Sequence, residues 1–140
     1  MEYIMGFADW FAIKTPAQRK RESMLYDRWA FPHGQAQREK IQALLVELMP
    51  KEDPISGMAV YLIGREGYLG SFRMLPEEQA ERTEEKKMAA MRHALENQLR
   101  GKFRKDMPLY MALILADANI GPDLAYPTAE ELKKKAQELA

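Results

Sequence analysis

Cysteine is absent from the 140-residue chain. That absence alone excludes a disulfide framework, cysteine-ligated zinc, iron–sulfur chemistry and a thiol nucleophile. Histidine is scarce, with only two in the chain, His33 and His93. An excess of one charge is also missing: Lys plus Arg and Asp plus Glu number 21 each, so no global field is available to hold a polyanion. Long apolar runs are lacking too. The longest nearly uncharged stretches, Gly57–Gly64 and Met107–Ala116, fall well short of the roughly 20 residues that span a bilayer, and no transmembrane segment is expected. The opening "MEYIMGFADWFAIK" is apolar, but Glu2 stands where a signal peptide would be basic and no small-residue cleavage site follows. It reads as part of the mature protein, and a cytoplasmic location is expected.

What is present favours helix. The hydrophobic share is 46% and the charged share 30%, a globular balance, and the abundance of Lys, Glu, Gln and Ala leans towards helix. A chain of this length buries one core without disulfides or metal. A single helical domain over residues 1–140 is expected, with neither internal repeat nor low-complexity tract.

Periodicity and punctuation give the elements. Tyr3 to Ile13 places Ile4, Phe7, Ala8 and Phe11 at helical spacing, with Met5 and Trp10 widening the face. Thr15 before Pro16 reads as an N-cap with proline at N1, opening a helix towards Trp29 that Pro32 stops. From Gln35 to Met49 the apolar residues Ile41, Leu44, Leu45, Leu48 and Met49 form one stripe. Pro76 opens a long helix to Phe103 with an acidic, solvent-projecting start and a buried stripe of Met88, Met91, Leu95 and Leu99. Leu109 to Ala118 is apolar nearly all round and reads as the central helix. Thr128 with Glu131 is a capping box for a C-terminal helix burying Leu132, Ala136 and Leu139.

The stretch "ISGMAVYLIGREGYLGSFRML", residues 55–75, holds four of the eight glycines. Asp53 before Pro54 favours a helix start. As a helix, Gly57, Val60, Gly64, Gly67 and Ser71 share a face of small residues that admits a neighbour closely, while each interior glycine costs about 1 kcal/mol relative to alanine. The favoured reading is a helix from Pro54 that breaks between Gly64 and Gly67 and continues towards Leu75. The alternative is a hairpin over residues 58–74, which would make the fold α+β. The expected fold is therefore all-α, a bundle of six or seven helices.

No catalytic constellation is legible. Gly64 is followed by Arg65 and Glu66 where a phosphate loop needs Lys and then Ser or Thr. A dinucleotide fingerprint does not fit either. His93 and Glu96 could meet on one helix face, but the Glu three residues before His used by ferritin-like sites is replaced by Ala90. Asp9 and Asp117, each beside apolar residues, are the carboxylates that burial could perturb, raising the pKa, although Asp117 lies near a helix end, where exposure is easy. No catalytic residue, metal ligand or cofactor is assigned.

The leading expectation is a protein that binds another protein or itself, a homo-oligomer. It would act through an apolar face drawn from Phe7, Trp10, Phe11, Met88 and Met91, methionine being suited to adaptable contacts. The second is a nucleic-acid accessory role through two basic clusters: Arg19, Lys20 and Arg21; and Arg100, Lys102, Arg104 and Lys105. An amphipathic membrane-surface role for the first helix is a weaker variant of the same sequence features.

Overall fold

A computed structural model describes residues 29–70, 75–99 and 101–140. After the helical pair Trp29 and Ala30 and the turn beyond Pro32 come α1 (Gln35–Leu48), α2 (Pro54–Leu69), α3 (Pro76–Glu81) and α4 (Glu84–Gln98). A 3-10 helix (Gly101–Asp106), α5 (Met107–Ala118) and α6 (Ala129–Leu139) complete the order. No strand occurs among the described residues, so the fold is all-α and the hairpin alternative falls. The expected helix over residues 3–13 and the Thr15–Pro16 helix start lie outside the described residues.

The most apolar helix takes the centre. Helix α5 packs on α2, α4, α6 and the 3-10 helix, burying Tyr110, Met111, Ala112, Leu113 and Ile114. That is the outcome required of a segment with no polar face to give to water. Helix α1 buries the expected Ile41, Leu45 and Leu48, with Met49 just beyond its end. Helix α6 begins at a complete capping box, Glu131 N–H donating to Thr128 Oγ1 at 3.2 Å and Thr128 N–H to Glu131 Oε1 at 3.3 Å. Leu132 and Ala136 are buried, with Leu139 packed partly buried against the core.

Helix α2 starts as its sequence requires, Asp53 capping Ser56 N–H at 3.0 Å with Pro54 in the first turn. Its small face makes the most extensive helix pairing, with α4. A Cβ on Gly64 would lie 2.7 Å from Ile114 Cδ1 and 2.8 Å from Leu95 Cδ2; one on Gly67 would lie 2.8 Å from the Ala90 carbonyl oxygen. The expected break between Gly64 and Gly67 does not occur. The burial that this close approach allows outweighs the propensity cost, and the helix runs unbroken until Gly70, at φ 97, closes it.

The long helix expected from Pro76 to Phe103 is two helices. Arg82 and Thr83 are extended (ψ 121 and 157). Thr83 then caps α4 by accepting from Lys86 N–H at 3.2 Å. The break lets Arg82 donate to the Gly67 carbonyl at 3.1 Å, one of the carbonyls that a helix C-terminus leaves unpaired and where a cation is favoured. Helix α4 also stops short, at Gln98, with Leu99 buried beyond it.

The glycine face orders three substitutions by thermal or urea unfolding. Gly57→Ala, whose Cβ meets only Tyr110 Oη at 3.6 Å, should be neutral or stabilising by up to about 1 kcal/mol. Gly64→Ala presses on side-chain ends and should lie between the other two. Gly67→Ala meets backbone and should cost about 1–3 kcal/mol.

Candidate functional site

The largest concentration of buried polar groups surrounds Asp117, near the end of α5. Asp117 is 2% exposed, and the two other buried polar or charged residues among those described, Gln37 and Arg65, are 0% and 4%. All three meet. Gln37 Nε2 on α1 donates to Asp117 Oδ1 at 2.9 Å, and the Tyr126 hydroxyl, from the α5–α6 connection, donates to the same oxygen. Asp117 Oδ2 accepts from the Tyr61 hydroxyl at 2.5 Å and from Arg65 Nη1, both on α2. Arg65 Nη1 also reaches the Tyr61 hydroxyl at 3.3 Å. Gln37 Oε1 accepts the His33 N–H at 2.9 Å.

Four donors therefore converge on one carboxylate, an arrangement built around the anion. Arg65 is less fully served: its Nε is buried without a partner among the described residues. Of the two readings open for Asp117, a buried acid or an exposed helix end, the structure shows the buried one. The α5–α6 connection folds back over it, tied down by Tyr126, by Lys40 Nζ on the Leu124 carbonyl at 3.0 Å and by His33 Nε2 beside the Ile120 carbonyl at 3.2 Å. With its lone pairs engaged and no open face, the carboxylate is an anchor and does not present itself as an acid or base to a substrate.

Two further phenols hold neighbouring elements. The Tyr110 hydroxyl donates to Glu52 Oε2 at 2.6 Å, joining α5 to the α1–α2 turn. The Tyr68 hydroxyl donates to Glu84, joining α2 to the start of α4. Burial pushes all four phenols up. For Tyr61 the Arg65 charge opposes that rise, and for Tyr126 the Gln37 hydrogen bond and Arg65 do so. For Tyr110 and Tyr68 the carboxylate partner adds to it, and Tyr68 reaches about 12.

The residues singled out from sequence are placed unevenly. Met91 is 0% exposed in the core, and Met88 is partly buried against it, so the surface expected there is largely core. Arg104 and Lys105 are exposed on the 3-10 helix. The side chains of Arg100 and Lys102 lie outside the described residues, as do Asp9, Phe7, Trp10, Phe11, Arg19, Lys20 and Arg21. His93 is exposed, its Nε2 3.4 Å from Asn97 Nδ2 on the same helix. Among the described residues no group of three metal-binding side chains forms, and no helix is long and apolar enough to cross a membrane.

A surface cleft of about 410 Å³ opens between the α1–α2 turn and the 3-10 helix. Leu48, Met49 and Pro50 give it apolar lining, and Lys51, Glu52, Lys105 and Asp106 give it charge of both signs. A narrower groove that includes Val46 and Pro54 adjoins it, sharing Met49 and Glu52. Val46 and Ile55 are 46% and 81% exposed. Sequence reasoning missed this corner because it is assembled from a turn and a 3-10 helix without periodicity to read. Compared with protein-family models, with curated proteins and with solved structures, the chain matches none.

Two measurements check the buried network. Asp117→Asn leaves the Arg65 cation buried with its counter-charge gone and should cost about 3–5 kcal/mol in urea unfolding. Arg65→Met leaves the carboxylate three donors and removes an unmatched Nε, so its cost should be smaller, about 1–3 kcal/mol. In the second, the four phenols hold their protons more tightly folded than at the ordinary value of 10.0. Their contribution is whole below about pH 10 and is lost as pH rises towards 12 and beyond. Phenolate absorbance and far-ultraviolet dichroism should therefore show these tyrosines ionising together with loss of helix; ionisation at the ordinary value with helix intact would contradict this.

Proposed function

We propose that this protein is a cytoplasmic binding module that contacts another protein or a second copy of itself through the corner between α1 and α2. The observation that supports this is the composition of that corner. Exposed Pro50 and the edges of the nearly buried Leu48 and Met49 line the cleft together with charges of both signs, and Val46 and Ile55 are large apolar side chains left in water nearby. Apolar side chains left in water among charges of both signs are a composition suited to a protein interface. The buried polar side chains of the described residues, by contrast, are engaged with one another, apart from the Nε of Arg65.

The experiment is site-specific photo-crosslinking in cells from position 55, with the exposed Glu138 on α6 as control. Discrete protein adducts from position 55, absent from position 138 and weakened by Val46→Lys, are expected. Both sites are exposed, so the fold should survive with changes within about 0.5 kcal/mol. No adduct specific to position 55 would overturn the proposal. Salt-sensitive nucleic-acid binding lost in an Arg104→Glu, Lys105→Glu variant would transfer the function to the basic cluster.

A further inference from the structure

Building on that reading of the α1–α2 corner, we infer that its occupant is a second copy of this chain, docked with two-fold symmetry so that Ile55 of each copy enters the cleft of the other. A two-fold interface uses one patch on both partners, so the patch must carry both a projection and its receptacle. This corner carries both. Ile55, 81% exposed in the first turn of α2, is three residues along the chain from Glu52, which lines the cleft, and next to Pro54, which lines the adjoining groove. Exposed Pro50, with the edges of Leu48 and Met49 that the core leaves open (each 6% exposed), offers the isoleucine an apolar lining.

Charge favours the same occupant. The cleft holds two cations, Lys51 and Lys105, and two carboxylates, Glu52 and Asp106, and the whole chain has a formal net charge of zero. A second copy meets no long-range repulsion and brings equal numbers of both signs to the rim. A strongly acidic or strongly basic partner would gain no steering towards this cleft. Lys51 and Lys105 are exposed, while Glu52 and Asp106 are half-buried, and in the two-fold pair the cations of one copy meet the carboxylates of the other.

Because the chain has no cysteine, introduced cysteines report on this contact without background. Sedimentation of the whole chain over a concentration series should show a monomer–dimer equilibrium, weakened at least about tenfold by Ile55→Lys. Mixing an Ile55→Cys chain with a Pro50→Cys chain under mild oxidation should give a disulfide-linked pair. That pair should form faster than when Ile55→Cys is mixed with Glu138→Cys. A dimer that forms without preferential Ile55→Cys to Pro50→Cys linkage would overturn the inference, placing self-association on another face. A purified chain that stays monomeric while position 55 still crosslinks to another protein in cells would also overturn it, and would leave the proposed binding function standing.

Discussion

The arrangement of the helices depends on the carboxylate of Asp117. Placing an anion at the end of the most apolar helix carries a desolvation cost of several kcal/mol, which only close and numerous donors offset. Those donors come from α1, from two successive turns of α2 and from the α5–α6 connection. One group therefore fixes the mutual position of four parts of the chain. The exposed Lys133–Glu130 and Lys135–Glu138 pairs on α6, at 3.7 and 3.5 Å, contribute little by comparison, because water screens them and two long side chains must be ordered to make each contact.

The packing around this anchor is set by what α2 omits. Gly64 and Gly67 remove the side chains that would hold α4 away, and Leu95 and Ala90 occupy the space. The opposite arrangement holds one residue further on: Arg65 fills the buried side of α2 with a cation and finds Asp117. The same helix face thus combines the smallest residues with one of the largest, and α4 and α5 divide its length between them. The break at Arg82 and Thr83 belongs to this scheme, since it turns Arg82 onto the end of α2 and starts α4 where its alanines can meet the glycines.

Much of this was legible before any coordinates. The stripe of α1, the apolar α5, the Asp53–Pro54 start and the Thr128 capping box are local signals, and local geometry realises them. The continuity of α2 was not legible, because glycine propensity argues for a break and only the facing Ala90 and Ala94 decide against it. Nor was the end of the first acidic turns: Thr83 has no Glu or Gln three residues on to complete a capping box, so its cap did not stand out from the charged residues around it. The network was half visible. Asp117 stood out after its apolar run, but Gln37 and Arg65 look like ordinary surface residues. Yet Arg65 lies on the face shared by Gly57, Tyr61, Gly64 and Tyr68, where a cation survives only beside a buried acid, and Asp117 is the one acid of the central helix.

The surface corner was illegible for a different reason. Cleft and exposed isoleucine come from a turn, the first residues of a helix and a 3-10 segment distant in sequence, which no periodic pattern joins. The claim on which the whole arrangement rests is that donors from different helices act through one carboxylate. A double-mutant cycle of Gln37→Leu and Tyr61→Phe in urea unfolding tests it most directly, repeated with Asp117→Asn. The expected result is a coupling of about 0.5–3 kcal/mol with Asp117 present and a value near zero without it. Additive effects, within about 0.5 kcal/mol in both backgrounds, would contradict the role given to Asp117.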